Sequence, residues 1–91
     1  MKYRIKFTSN FKKNYKLMQK RGSDISLLDS VVEKLGQGLT LEEKYCDHAL
    51  SGKYTGFREC HIKPDWLLIY LLEDDVLTLT LVNTGSHADL F

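Results

Sequence analysis

The heptapeptide WLLIYLL, Trp66 to Leu72, is the longest clear run of apolar residues in this 91-residue chain. It is too short to cross a bilayer, which takes about 20 residues of helix, but it has the length of an ordinary strand. Because no polar residue interrupts the run, we expect a central strand that is buried on both faces. Pro64–Asp65 before it and Asp74–Asp75 after it have the composition of turns.

Three further strands are predicted around this one. The segment FRECHI, Phe57 to Ile62, precedes the first turn, and VLTLTLV, Val76 to Val82, follows the second. Leucine and threonine alternate in the latter, and a period of two is typical of a strand. Near the N-terminus, YRIKF, Tyr3 to Phe7, alternates apolar and basic residues. It predicts a short half-buried strand that joins the antiparallel meander.

Two helices are predicted between the first strand and the meander. Their buried stripes are expected to be Phe11, Tyr15 and Met18 in the first, and Ile25, Leu28, Val32 and Leu35 in the second. Thr8, Ser9 or Asn10 is expected to cap the first helix, and Ser23 is expected to cap the second. The side-chain oxygens of these residues can accept from unpaired N–H groups. Gly22 and Gly36 are expected to end the two helices.

The order of these elements predicts an α+β fold in a single domain, residues 1–91. An N-terminal strand and a two-helix hairpin would pack on a small antiparallel β-sheet. The sequence between the second helix and the meander is less regular. One helical turn is expected there, where Thr40 and Glu43 fit a capping box.

The charged residues are distributed unevenly, although the net charge is only +1. Residues 1–23 carry eight basic side chains and no acid, and all twelve acids lie from Asp24 onward. Such a segment favours contact with a polyanion such as nucleic acid, but a solvated helix face explains it equally well. The N-terminus lacks the apolar core of a secretory signal, so we expect a cytoplasmic protein.

The three histidines, His48, His61 and His87, are the main candidates for chemistry, although each alone has an ordinary explanation. Cys46 and Cys60 could join His48 and His61 in a zinc site, but adjacent residues of one strand point to opposite faces. We therefore expect no metal site. Neither cysteine is predicted at a helix N-terminus, where a thiol would be activated, so a cysteine nucleophile is not expected.

The three histidines fit the cleavage of RNA better than they fit a metal site or a cysteine nucleophile. A base must take the proton of a 2′-hydroxyl, an acid must protonate the leaving 5′-oxygen, and cations must stabilise the phosphorane. Histidine serves as acid or base near neutral pH, and an exposed aromatic ring can stack on a nucleobase.

Three sequence elements together resemble one family. They are DHALSG, HIKPDW and TGSHADLF, and they are similar to the YafQ branch of the RelE-type toxins. The resemblance covers almost the whole chain and implies a RelE-like fold. It also implies a ribosome-dependent mRNA endonuclease of a bacterial toxin–antitoxin pair that needs no cofactor. The expected partners are a cognate antitoxin and a ribosome with mRNA in its A site, with no membrane, and the free toxin would be a monomer.

The resemblance also implies roles for individual residues. The acid–base residues would be His48, His61, Asp65 and His87. Trp66 would lie beside the site and contact the substrate, and Phe91 would help to place it. Asn83 departs from the pattern, because family members usually carry an arginine there that stabilises the phosphate. The loss predicts a weakened enzyme unless another cation substitutes, and Lys63 is the candidate because it shares strand parity with His61.

Two other functions stay open from the residues. The same fold could serve a non-catalytic toxin of the ParE kind, which acts on DNA gyrase. The chain could also be a plain RNA-binding module that uses its basic first helix. In a toxin, the lysines of the first helix would contact ribosomal RNA or an acidic antitoxin. These lysines are Lys12, Lys13, Lys16 and Lys20.

Overall fold

The computed structural model describes residues 2–91, so Met1 of the predicted domain lies outside the described residues. The strands are β1 (Arg4–Phe7), β2 (His48–Ala49), β3 (Arg58–Lys63), β4 (Trp66–Glu73) and β5 (Thr78–Gly85). The α-helices are α1 (Ser9–Lys20), α2 (Ile25–Gly36) and α3 (His87–Leu90), and two 3₁₀ turns, Glu43–Tyr45 and Gly52–Tyr54, flank β2. Among these residues, no helix has both the length and the apolar character needed to span a membrane.

The sheet has the strand order β1-β5-β4-β3-β2, so β4 is its middle strand. Residues 66–70 are all buried, which confirms the predicted central strand. The first strand joins the sheet as expected, but it pairs with β5 in parallel, and the sheet is therefore mixed. The two-residue strand β2, which carries His48, was not predicted.

Helices α1 and α2 cover one face of the sheet and form the main core with it. Leu28 and Val31 of α2 are fully buried against side chains of the middle strands such as Leu68 and Tyr70. Each buried aliphatic side chain contributes about 1.5–3 kcal/mol of hydrophobic free energy. Val31, not the predicted Val32, supplies the deepest contact of its turn, and Val32 is only partly buried.

The N-caps of the two long helices agree only in part with prediction. Thr8 caps α1, since its Oγ1 accepts a hydrogen bond from the Phe11 amide at 3.0 Å. The cap of α2 is Asp24 and not Ser23; the Asp24 carboxylate accepts from the Ser26 amide at 3.1 Å. A carboxylate at this position also interacts favourably with the helix dipole.

The irregular segment forms its helical turn two residues later than a cap at Thr40 would place it. The 3₁₀ turn Glu43–Tyr45 has Glu42 as its N-cap and no side-chain cap hydrogen bond, so the predicted capping box is absent.

Strand β5 begins and ends later than predicted. Val76 and Leu77 lie in the turn that precedes it, and both are about half exposed. Leu77 has a φ of +46°, a left-handed conformation that a strand residue does not adopt. The shift brings Asn83 and Gly85 into the sheet, opposite Ile69 and Leu67 of β4.

Candidate active site

The face of the sheet opposite α1 and α2 carries the three histidines. His48 of β2 pairs with Glu59 of β3, and His61 of β3 pairs with Leu67 of β4. Cross-strand partners project to the same face, and α3 brings His87 to that face from the C-terminus. The ring centroids of His48 and His61 are 6.3 Å apart, and those of His61 and His87 are 5.8 Å apart. The histidines therefore form a row with His61 in the middle.

A buried carboxylate lies behind this row. Glu59 is only 5% exposed. Its Oε2 lies 3.6 Å from His48 Nε2, and its Oε1 lies 3.8 Å from His61 Nε2. One carboxylate can therefore stabilise positive charge on either ring. Sequence reasoning did not choose Glu59 as a site residue, although its position two residues before His61 on a strand already placed both side chains on one face.

The orientation of His48 is set by its own loop. Its Nδ1 donates to the Cys46 carbonyl at 2.6 Å, which leaves Nε2 facing Glu59. Asp47, which precedes His48 in the chain, anchors the loop to the sheet. It accepts from the Tyr70 hydroxyl at 2.6 Å and from Arg58 Nε at 3.3 Å. Asp47 thus holds the loop at the point where the short strand β2 begins.

His87 is held by the turn between β3 and β4. Asp65 accepts hydrogen bonds from the His87 backbone amide at 3.1 Å and from His87 Nδ1 at 2.8 Å. The side-chain hydrogen bond from His87, reinforced by that from its backbone, lowers the pKa of the Asp65 carboxyl. Asp65 is therefore ionised at neutral pH, and the ring of His87 is fixed with Nε2 free for chemistry.

Helix α3 owes its position to two polar contacts. Ser86 and Asp89 form a capping box at its start. Asp89 also forms a 3.0 Å ion pair with Arg21 at the end of α1. Backbone hydrogen bonding from Ser86, followed by Arg21, lowers the pKa of Asp89. The short helix is thus tied to a helix 68 residues earlier in the chain.

The last two residues of the chain have opposite environments. Leu90 is buried and packs on Leu67 and Ile69. Phe91 is 61% exposed, and its ring contacts Tyr54 edge-on with centroids 5.5 Å apart. An exposed ring that is held by a neighbour in this way can stack on a nucleobase.

Trp66 lies on the other face of the sheet. It is 4% exposed, packs in the main core, and donates from Nε1 to Thr84 Oγ1 at 3.0 Å. The burial contradicts the prediction that Trp66 contacts substrate, because its ring has no free face on which a base could stack. Its role here is to fix the start of β4 next to Asp65.

The strand geometry around Lys63 differs from the regular alternation that was predicted. The strand register shifts between His61 and Lys63, and Lys63 pairs with Trp66. A bulge of this kind breaks the alternation of faces. Lys63 lines one depression with Ser23 and Asp24 of the α1–α2 connection and another with His61. Strand parity therefore does not fix the direction of its side chain, but Lys63 stays a candidate cation near His61.

Asn83 lies in the same cross-strand row of the sheet as Glu59. It pairs with Ile69, which pairs with Glu59. Its Oδ1 accepts from Asn14 Nδ2 at 2.6 Å and from the Thr84 amide at 2.9 Å. Two strand spacings of about 4.8 Å separate it from Glu59, which is within the reach of an arginine side chain but not of an asparagine.

Metal-ligating side chains meet at this site, although not those considered from the sequence. Glu59, His61 and His87 offer ligand atoms that lie within 4.8 Å of one another. Ligands of one zinc ion lie about 3.3 Å apart, so the three would have to close in to bind it. Cys60, on the opposite face, is fully buried. Burial raises the pKa of its thiol to about 12, so it is neither a ligand nor a nucleophile at neutral pH.

The lysines of α1 are not part of this site. Lys12, Lys13, Lys16 and Lys20 line an open depression on α1, which packs on the sheet face opposite the histidines. They form a basic surface separate from the row of imidazoles.

Comparison with known proteins gives one family. Residues 3–91 match the model of the bacterial toxin of type II toxin–antitoxin systems, YafQ. The mRNA interferase toxin YafQ of Escherichia coli K12 is 40% identical over 88 residues, which cover 96% of this chain and 94% of that protein. Two solved structures agree. A metal-bound toxin from Helicobacter pylori is 44% identical with a TM-score of 0.92, and each chain is covered completely. The E. coli DinJ–YafQ toxin–antitoxin complex is 38% identical with a TM-score of 0.90. The match covers 100% of this chain and 99% of that one. The α+β fold thus has its counterpart in a known group of proteins, and this chain belongs to the YafQ family of type II toxins.

Proposed function

We propose that this chain is an mRNA interferase, an endonuclease that cuts mRNA on the ribosome and so inhibits translation. The observation that carries the proposal is the row of three imidazoles, backed by the buried Glu59 and by Asp65, on one open face of the sheet. The E. coli relative named mRNA interferase toxin supports the same activity.

In the proposed reaction one imidazole takes the proton of the ribose 2′-hydroxyl. The 2′-oxygen then bonds to the adjacent phosphorus, and the bond from phosphorus to the 5′-oxygen breaks. A second imidazole protonates the departing oxygen, which leaves a 2′,3′-cyclic phosphate and a free 5′-hydroxyl. His61 is next to both other rings, so it belongs to the acid–base pair whichever of His48 and His87 is its partner.

The remaining parts of the site would position the RNA. Phe91 would stack on a base, and Asn83 would act only as a neutral donor toward the phosphate. The imidazolium that forms during the reaction is stabilised by Glu59. A bound metal would occupy the Glu59, His61 and His87 side chains that this chemistry uses, so we propose that cleavage is metal-independent.

A cognate antitoxin and the ribosome would be the partners. The complex of E. coli YafQ with DinJ supports the first. The basic surface of α1 provides a sequence-independent contact for ribosomal RNA or for an acidic stretch of the antitoxin. A toxin that acts on ribosomes works in the cytoplasm.

The activity is tested with mRNA on purified ribosomes. Cleavage is expected with a cyclic phosphate at the new 3′ end. Treating the toxin with EDTA, and removing the chelator before the toxin meets ribosomes in Mg²⁺ buffer, should leave the rate unchanged. A message with a single 2′-deoxyribose at the cleavage position should stay intact at that position, because the nucleophile is missing. Cleavage of the deoxy message would contradict the mechanism, and a requirement for an added metal would contradict metal independence.

Replacing Asn83 with Arg should increase the cleavage rate on ribosomes by about 10- to 100-fold. The guanidinium would reach across Ile69 toward Glu59 and add a charge-assisted contact to the phosphate. The hydrogen bond from Asn14 would be lost, at a cost of about 1 kcal/mol in the free energy of unfolding. The matched control is Asn83→Gln, a longer neutral side chain that should give no gain. Equal rates for Asn83→Arg and wild type would mean that a different cation already stabilises the phosphate.

A further inference from the structure

The depression that Lys63 shares with His61 has no part in the chemistry described so far. Its volume is about 670 Å³, and sites that bind small ligands have volumes of about 300–1,000 Å³. The lining includes His61 and Lys63 of β3, and Lys44, Tyr45 and Cys46 at the 3₁₀ turn before β2. No acidic side chain of residues 2–91 contributes to it. The depression therefore adjoins the middle imidazole of the row and is basic in character.

The depression exists because the outer edge of β3 is only partly paired. The two residues of β2 pair with Glu59 and Arg58, and an antiparallel continuation of β2 would bring Cys46 opposite His61. Cys46 instead ends the 3₁₀ turn with a left-handed φ of +49°, which an extended strand does not allow. The edge of β3 beside His61 is thus left open, and the depression lies there.

The two lysines of the depression are available to bind an anion. Lys44 and Lys63 are both exposed, and among residues 2–91 neither forms an ion pair. Asp24 lines the second depression with Lys63, but its carboxylate accepts from the amide and the hydroxyl of Ser26. The positive charge beside His61 is therefore not neutralised within the described part of the chain.

Tyr45 gives the depression an aromatic wall. Its ring is partly buried and packs against the main core, which limits its movement. Lys44 Nζ lies 5.2 Å from the ring centroid, and Lys34 Nζ lies 5.5 Å from it on approach from α2. Ammonium groups beside an aromatic ring match the two parts of a nucleotide, the charged phosphate and the flat base.

We propose that Lys44 and Lys63 bind the phosphate next to the scissile one, so that the depression is a second subsite for the mRNA. The inference rests on the proposed function, which places the scissile phosphate over His61 and its partner ring. RNA carries one phosphate per nucleotide, so a strand that crosses His61 brings its next phosphate past the row. A phosphate contact carries no sequence information, but it fixes the register of the strand. Here it would place the 2′-hydroxyl at the imidazoles.

The test removes the charge of one phosphate and the charges of the two lysines in turn. Ribosome-bound messages carry a neutral methylphosphonate at the phosphate that flanks the cleavage position on its 5′ side or on its 3′ side. The nucleotide before the altered linkage is 2′-deoxyribose for chemical stability, and each reference message has the same deoxyribose with the native phosphate. One of the two methylphosphonates should lower the second-order rate of cleavage by wild type about 10-fold, since hydrogen bonds between charged groups are the stronger kind.

The double variant Lys44→Gln/Lys63→Gln completes the cycle. It should cleave the reference message about 10-fold more slowly than wild type and lose nothing further on the methylphosphonate, because the two changes remove one interaction. Lys44→Arg/Lys63→Arg keeps the charges and should behave as wild type. The matched control is Lys2→Gln/Lys6→Gln, which removes two charges from exposed residues at the opposite edge of the sheet. It should cleave at the wild-type rate and keep the full methylphosphonate effect.

Three results overturn this proposal alone. Wild type may cleave all the messages equally, or the methylphosphonate may slow wild type and Lys44→Gln/Lys63→Gln by the same factor. The third is a double variant that cleaves as wild type does but binds the antitoxin more weakly, since the depression would then belong to the partner protein. A wild type that cleaves none of the messages, the reference messages included, overturns the proposed function and this proposal with it.

Discussion

Replacing His87 with Ala is expected to lower the rate of mRNA cleavage on ribosomes by about 10²- to 10⁴-fold, the usual contribution of a positioned acid or base. The His87 ring is 5.8 Å from the His61 ring, and Asp65 fixes its orientation through Nδ1. The side chain is exposed, so the fold should tolerate its loss. Single-turnover cleavage of a ribosome-bound message measures the effect, and thermal unfolding checks the fold.

Asp65 provides the companion variant, because it acts on the reaction through His87. Asp65→Asn should reduce the rate less than His87→Ala does, since the ring stays but loses its ionised partner. Asp75→Asn is the matched control; its carboxylate lies in the exposed β4–β5 turn and, among residues 2–91, accepts from the Val76 amide alone. A His87→Ala variant as active as wild type would show that His87 takes no part in the mechanism. Equal rates for Asp65→Asn and Asp75→Asn would show that Asp65 does not position His87.

The pKa of Asp65 determines the pH range in which the ionised carboxylate holds His87. The pKa is below its ordinary value in the folded protein because His87 donates to the ionised carboxylate. The interaction is therefore fully present above the unfolded-state value near 3.9 and is lost as the pH falls through the lower folded-state pKa. Across the neutral range Asp65 stays ionised, so its hydrogen bonds with His87 are present throughout that range.

Glu59→Gln is expected to have the second largest effect, a loss of about 10²-fold in the cleavage rate. The substitution keeps the shape of the side chain but removes the charge that faces His48 and His61 at 3.6 and 3.8 Å. Without that charge the protonated imidazole formed in the reaction is less stable. Thermal unfolding of the variant separates this from a merely structural loss.

Glu43→Gln is the matched control for Glu59→Gln. It removes the same charge from an exposed residue in the 3₁₀ turn before β2, and we expect the rate of wild type. A Glu59→Gln variant with a reduced rate and a lowered unfolding temperature would indicate a packing role, and one with wild-type kinetics would exclude Glu59 from the site.

Much of the site could be predicted because its residue types lie in short motifs. Asp65 in the turn before β4, and His61 on β3, are where the sequence placed them. Phe91 is exposed beside the site, as its proposed role needs. Trp66 was misplaced because the helices cover its face of β4, which the local sequence does not show. The parity argument for Lys63 failed because nothing in the local pattern of FRECHIK signals a register shift.

The sequence by itself determined the elements whose pattern is local. These are the buried middle strand, the two amphipathic helices and the cap at Thr8, since helix and strand periods depend on neighbouring residues alone. It also determined the family, through three motifs with specific residue types. The position of β2, the parallel place of β1 at the edge and the burial of Glu59 between His48 and His61 depended on the tertiary structure. Pairing between strands joins residues far apart in the chain, and its register is decided by the packing of the whole sheet.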